Sequence, residues 1–153
     1  MKTIYLDHAA TTPMAKEVIV RMTEAMERVY GNASSIHTAG REARKFLDEA
    51  RSIRAHSINA STNEIIFTSG GTEADNMAIF GTAYARKLEG KHIITTQIEH
   101  HAVLHACEKL EKEGFDVTYL PVDEFGCVRV EDVAAALRED TILVTIMYGN
   151  NEV

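Results

Sequence analysis

The sequence predicts an α/β protein with a mainly parallel sheet flanked by helices, and two observations predict it. From Glu64 onward, apolar runs of strand length alternate with segments whose apolar residues recur at helical spacing. The last run, Thr141–Met147, has no polar alternation, which is typical of a strand buried on both faces. Because ligands bind beyond the carboxyl ends of the strands in such sheets, the loops that follow the strands are candidate sites.

Two helices are predicted in the first half of the chain, after an aperiodic opening at residues 1–13. Apolar residues at helical spacing predict the first helix over residues 14–30. The polar loop 31–37 separates it from a second helix at 40–58, whose charged residues predict a solvated face. From its composition, we expect the loop to be an exposed turn.

A glycine turn is the most informative local feature of the second half. A short buried strand is predicted at residues 65–68, followed by Ser69, Gly70 and Gly71, and then by a helix from Thr72. Glycine lets a ligand approach the backbone, and the unpaired N–H groups of a helix start attract anions. The turn is therefore typical of a phosphate site, with the Ser69 and Thr72 hydroxyls as further donors. Plain chain reversal, with Thr72 as an ordinary N-cap, is the alternative.

The rest of the chain continues the alternation. Strands are predicted at residues 92–96, 117–120 and 141–147, and helices at 101–113 and 130–138. The loops Gln97–His101 and Tyr148–Glu152 should face the same crevice as the glycine turn. His100 could stack on a flat ring or move a proton near neutral pH, and Asn151 could donate to a ring oxygen. Either residue alone could also be an ordinary cap.

The composition excludes several classes of function. Sixteen basic and 23 acidic residues give a net charge of −7, which argues against a nucleic-acid or membrane-surface role. The sequence has neither a membrane-spanning apolar run nor the apolar core of a signal peptide. The cysteines, Cys107 and Cys127, fit a reducing cytosol better than a disulfide framework. His100, His101 and His105 lack a metalloprotease pattern or carboxylate partner, so no metal site is predicted.

Five motifs occur in a fixed order along the chain: Tyr5–Pro13, Gly31–His37, Phe67–Asn76, Ile98–Leu104 and Asn150–Val153. In this order they resemble the cysteine desulfurases, the NifS/IscS-like group of class V aminotransferase-fold, pyridoxal-phosphate enzymes. The resemblance covers the whole chain, and one departure is Ala33, where the loop often carries proline. It implies an N-terminal arm at residues 1–13. Residues 14–153 would then form the N-terminal part of the large domain of a fold type I pyridoxal-phosphate-dependent transferase.

The resemblance implies roles for four residues. Gly71 and Thr72 match the residues that bind the cofactor phosphate, and His100 matches the histidine that stacks on the pyridine ring and assists proton transfer. Asn151 matches the asparagine near the phenolic oxygen of the ring. Family members take sulfur from L-cysteine, leave L-alanine, and hold the sulfur as an enzyme persulfide for iron–sulfur cluster assembly or thiolation. We therefore expect L-cysteine and sulfur-acceptor or scaffold proteins as partners, and a cytoplasmic homodimer without direct nucleic-acid or membrane contacts.

The chain is shorter than the family enzymes, so we expect it to be the N-terminal part of one. In the family, the Schiff-base lysine, the aspartate at the pyridinium nitrogen and the persulfide cysteine lie downstream. Neither Cys107 nor Cys127 matches the motif of the catalytic cysteine. We therefore expect this chain alone not to desulfurate cysteine. The alternatives are a selenocysteine lyase or other class V enzyme, and a non-catalytic short product that acts as a binding or interaction module.

Overall fold

The structure, a computed structural model, describes residues 4–152, which divide into two compact units. The first unit extends to Phe67, and the second begins at Thr68. Residues 4–15 form no helix or strand, as predicted for the opening of the chain. Across the described residues, every helix is too short or too polar to cross a membrane.

The first unit contains two helices and a short 3₁₀ turn. They are α1 (Lys16–Arg28), α2 (Thr38–Ser57) and the turn Thr62–Glu64. Both predicted helices are thus confirmed. The apolar stripe of α1 is present, but no residue of α1 is buried, and Val18, Met22 and Met26 are all exposed. The predicted charged face of α2 is also confirmed, since Arg44 pairs with Asp48 there in solvent.

Two glycines hold the polar loop 31–37 against the start of α2. A Cβ on Gly31 would lie 2.2 Å from the carbonyl oxygen of Ala39, and one on Gly40 would lie 2.3 Å from that of Ser35. The helix begins earlier than predicted because His37 Nδ1 accepts the N–H of Gly40 at 3.3 Å. The predicted exposed turn is confirmed, since the loop turns at residues 33 and 34 and Asn32 and Ile36 are exposed, and the loop also packs closely on the start of the helix.

A three-stranded parallel sheet forms the centre of the second unit, with strand order β2–β1–β3. The elements in chain order are α3 (Gly71–Arg86), β1 (His92–Thr96), α4 (His101–Lys112), β2 (Asp116–Leu120), α5 (Val130–Ala136) and β3 (Thr141–Val144). His92 of β1 pairs with Asp116 on one side and Thr141 on the other, and the register with β3 shifts directly after His92. The predicted alternation and parallel sheet are confirmed.

Two strand predictions are wrong in part. Residues 65–68 do not form a strand, because no strand in the described part of the chain pairs with them, although Ile65 has extended backbone angles. β3 ends at Val144 rather than Met147, and Ile142 is its one buried residue. It is an edge strand among residues 4–152, so it is not covered as a central strand would be.

The core of the second unit lies between the sheet and the helices α3 and α4. Its buried members are Ile79, Ala83, Ile93, Val103, Ala106, Cys107, Leu110 and Ile142. Cys107 lies in a helix with an apolar stripe, which predicts a small buried apolar side chain. This prediction is confirmed, and burial raises the pKa of the Cys107 thiol to about 11. α3 buries Ile79 and Ala83, whereas Met77 and Tyr84 are exposed. The run at residues 77–85 is apolar nearly all round, which predicts a helix buried on most sides, and this prediction is wrong.

Candidate functional site

The loops that follow β1 and β3 are joined beyond the carboxyl edge of the sheet. Glu99 Oε1 accepts the N–H of Met147 at 2.9 Å, and the side-chain amide of Asn150 donates to the carbonyl oxygen of Ile98 at 2.8 Å. The same Glu99 oxygen accepts the hydroxyl of Thr96 at 2.8 Å. Because the two strands are parallel neighbours, their loops emerge side by side, and these hydrogen bonds fix one loop to the other.

A cavity of about 290 Å³ lies between these loops. His100, His101 and Leu104 line it from the start of α4, and Asn150 and Asn151 line it from the loop after β3. The expectation that the two loops face one crevice is confirmed for His100 and Asn151, but no residue of the glycine turn Ser69–Thr72 lines this cavity. Their roles toward a cofactor stay a prediction.

His100 begins α4 as its N-cap. Its Nδ1 accepts the N–H of Ala102 at 3.1 Å. A ring nitrogen that accepts a hydrogen bond carries no proton, so the neutral ring carries its proton on Nε2. Since the side chain is exposed, the ring face and Nε2 can both meet a ligand.

The start of α3 supplies donors for an anion. Its N-cap, Gly70, makes no side-chain cap, and helix geometry leaves the N–H groups of Gly71 and Thr72 without intrahelical acceptors. A Cβ built on Gly71 would meet no atom within 4 Å, so a ligand can reach this backbone. Two N–H groups and the exposed Thr72 hydroxyl, at the positive end of a helix, fit the phosphate of pyridoxal phosphate.

Ser69 is engaged differently from the prediction. Its hydroxyl and its N–H each donate to Glu73 Oε2 at 2.6 Å, and these hydrogen bonds lower the pKa of Glu73. Glu73 lies in the first turn of α3 and reaches back to the residue before the cap. The prediction of Ser69 as a phosphate donor is wrong for this structure, because a carboxylate already occupies both donors. An acidic residue in the first helical turn was the signal for this.

Gly71 and Thr72 are not among the residues that line the cavity shared by His100 and Asn151. The structure thus brings together two of the four predicted cofactor residues and leaves the other two at the start of α3. Among residues 4–152, no three His, Cys, Asp or Glu side chains are grouped so that they could hold a metal ion.

Sequence reasoning missed Glu99 and Asn150. Glu99 is only 6% exposed, although it directly precedes a helix start, where acidic residues are usually solvated. Asn150 stands beside the predicted Asn151, and the local pattern does not distinguish the two amides. Both acquire their partners from a loop distant in sequence, so no local signal identifies them.

The sequence matches the Aminotransferase class-V family over residues 4–153. It is 64% identical over 153 residues to a putative cysteine desulfurase IscS 1 of Bacillus subtilis, covering 100% of this chain and 40% of that protein. It is 56% identical over 150 residues to a cysteine desulfurase IscS of Dictyoglomus turgidum, covering 98% of this chain and 38% of the relative. The chain thus spans well under half the length of these curated relatives.

Two solved structures share the fold. A NifS-like protein superposes with a TM-score of 0.90 at 40% identity, over 95% of this chain and 40% of that one. A structure described as SspA in complex with cysteine has a TM-score of 0.91 at 41% identity, over 99% of this chain and 44% of that one. These likenesses confirm the predicted fold class, part of the large domain of a fold type I transferase.

The match to the family runs along nearly the whole chain, and the sequence relatives and the structural neighbours agree with it. We conclude that the chain belongs to the class-V aminotransferase family, as a homologue of the IscS/NifS cysteine desulfurases.

Proposed function

We propose that this chain forms part of a pyridoxal-phosphate-dependent cysteine desulfurase, which takes sulfur from L-cysteine and leaves L-alanine. The main structural support is that His100 and Asn151, from the loops after two neighbouring parallel strands, line one cavity. Identity of 64% to a relative named as a putative cysteine desulfurase supports the choice of reaction. The likeness to a protein solved with cysteine supports the choice of substrate.

Each proposed cofactor residue contributes a distinct contact. Bound pyridoxal phosphate would supply an electron sink for negative charge on the α-carbon of the amino acid. Gly71 and Thr72 would hold its phosphate through two N–H groups and a hydroxyl. The exposed ring of His100 would stack on the pyridine ring and hold or release a proton at Nε2. Asn151 would donate to the ring oxygen.

The proposal extends to the setting of the enzyme. The intact protein would be a cytoplasmic homodimer that passes persulfide sulfur to acceptor or scaffold proteins of iron–sulfur cluster or thiolation pathways. A net charge of −7 supports protein acceptors over direct contact with nucleic acid. Sedimentation of the intact protein would test the dimer.

The direct test follows cofactor binding and turnover in the intact protein that contains this chain. Absorbance titration with pyridoxal phosphate should show binding. With an added dithiol, which reduces the enzyme persulfide and is itself oxidised to a disulfide, L-cysteine should yield alanine and sulfide in equal amounts. Thr72→Ala should weaken cofactor binding by about tenfold, because it removes one hydrogen bond to a charged phosphate. His100→Ala should lower turnover by roughly 100-fold or more, because it removes a proton-transfer group.

His105→Ala is the matched control for His100→Ala. His105 stacks on His101 at 5.4 Å on the exposed side of α4 and does not line the cavity. The His105→Ala substitution should leave turnover unchanged. Failure of the wild-type protein to bind pyridoxal phosphate would refute the proposal. Turnover of L-selenocysteine without turnover of L-cysteine would replace it with the selenocysteine lyase.

A further inference from the structure

We propose that Glu99 is a positioning residue of the cofactor site. Together with Asn150 it forms what we call the reciprocal clamp, which sets His100 and Asn151 relative to each other. Since those two residues are assigned to the cofactor only by the proposed function, this inference rests on it.

The reciprocal clamp connects the same two loops in both directions. Glu99, in the loop after β1, accepts the N–H of Met147 after β3 at 2.9 Å. Asn150, in the loop after β3, donates back to the carbonyl oxygen of Ile98 at 2.8 Å. The Asn150 amide is itself oriented, because its Oδ1 accepts the N–H of Glu152 at 2.7 Å. Each loop therefore supplies one side chain and one backbone group.

The chain order links the reciprocal clamp to the proposed site. Glu99 directly precedes His100, and Asn150 directly precedes Asn151. Adjacent Cα atoms are about 3.8 Å apart, so a side chain that anchors one residue restrains the next. A cofactor ring needs its contacts held to within about 0.5 Å, which free loops do not achieve.

The environment of Glu99 argues against a general stabilising role. The residue is 6% exposed, and no Lys, Arg or His in the described chain forms an ion pair with it. Its partners are two neutral donors, the Thr96 hydroxyl and the Met147 N–H, both at Oε1. Burying a carboxyl group without a cation is costly, so an apolar residue would serve stability better. What the carboxyl provides is a specific link between two loops.

The test uses two substitutions of Glu99 in the intact protein. Glu99→Gln keeps an Oε1 acceptor for both donors, whereas Glu99→Ala removes it. Glu108→Ala is the matched control, since Glu108 is an exposed acidic residue on α4 outside the cavity. Amide hydrogen exchange at Met147 and in β1 is measured without cofactor, and the dissociation constant of pyridoxal phosphate is measured by absorbance.

For Glu99→Ala we expect exchange at Met147 to accelerate by about tenfold while the amides of β1 keep their rates. Cofactor binding should weaken by about fivefold or more, and Glu99→Gln should restore both values to within about twofold of the wild type. The control should match the wild type in both measurements.

Two results would overturn the role of Glu99. One is unchanged exchange at Met147 together with unchanged cofactor affinity in Glu99→Ala. The other is equal acceleration at Met147 and throughout β1, which would mark a general loss of stability. If the wild-type protein binds no pyridoxal phosphate, the proposed function fails, whereas the exchange measurement still decides whether Glu99 joins the two loops.

Discussion

The two ends of the central strand β1 carry histidines in opposite surroundings. At its start, His92 is fully buried, with Nδ1 at 2.8 Å from Thr141 Oγ1 and Nε2 at 2.9 Å from Thr118 Oγ1. Just beyond its end, His100 is exposed, and among residues 4–152 its Nδ1 alone forms a hydrogen bond, in the helix cap. Both ring nitrogens of His92 thus have partners within the described protein, whereas Nε2 of His100 is available to a ligand.

The hydrogen-bonding groups at the amino edge of the sheet and at the start of α3 differ in the same way. At the amino edge of the sheet, Arg138 donates to Asp116 at 2.5 Å and to Asp140 at 3.0 Å, so the donors of this cation are already engaged by carboxylates. In contrast, the start of α3 keeps the N–H groups of Gly71 and Thr72 without intrahelical acceptors. In this unit, a histidine alone therefore does not indicate a binding site. A hydrogen-bond donor without a protein acceptor does.

We expect the largest effect on the free energy of unfolding from the substitution of His92, at the buried start of β1. His92→Ala should lower the free energy of unfolding by about 3 kcal/mol, because it opens a cavity and removes the hydrogen-bond partner of the Thr118 hydroxyl. The affinity of the folded protein for pyridoxal phosphate should stay within about twofold of the wild type. Urea unfolding and absorbance titration measure the two quantities. His56→Ala, at an exposed histidine of α2, is the control.

His100→Ala should show the reverse pattern, with lost turnover and a loss of about 1 kcal/mol from the missing cap. If both histidine variants lost the same property, the contrast between the two ends of β1 would be wrong.

A smaller effect separates two neighbouring threonines in β1. The hydroxyl of Thr96 donates to Glu99, whereas the fully buried hydroxyl of Thr95 has no hydrogen-bond partner in the described chain. Thr96→Val should therefore lower the free energy of unfolding by about 1–2 kcal/mol, and Thr95→Val should raise it by about 1 kcal/mol. Each variant is the control for the other, and changes of the same sign would contradict this account.

The smallest expected effect is a pH dependence of stability. Desolvation is the main cause that lowers the pKa of His92, with a contribution from Arg138 against the opposing effects of Asp116 and Asp140. In the unfolded chain, His92 takes up a proton near pH 6.5, whereas in the folded protein it does so only at a lower pH. Between these two pKa values the unfolded state therefore binds more protons. The free energy of unfolding should fall as the pH drops from about 6.5 through the folded pKa.

Urea unfolding above and below pH 6.5 measures this dependence, and His92→Gln should remove the part that belongs to His92. If His92→Gln shows the same pH dependence of the free energy of unfolding as the wild type, other groups cause that dependence.

The order and type of most elements can be predicted from the amino-acid sequence. The spacing of apolar residues predicts α2 and α4, and the apolar run at residues 92–96 predicts β1. Both patterns can be read from the sequence because they involve residues close together in the chain. The sequence also indicated Gly71 and His100 as residues at helix starts, where backbone donors or caps are expected.

Which polar groups remain free to bind a ligand depends on contacts formed in the folded protein. The tertiary structure engaged Ser69 with Glu73, left residues 65–68 without a strand partner, and joined Glu99 to Met147. Strand pairing and the contacts of the loops depend on residues far apart in the chain, and burial follows from what covers them. Local patterns therefore predict where a donor stands, whereas the assembled fold decides whether the protein has already used it.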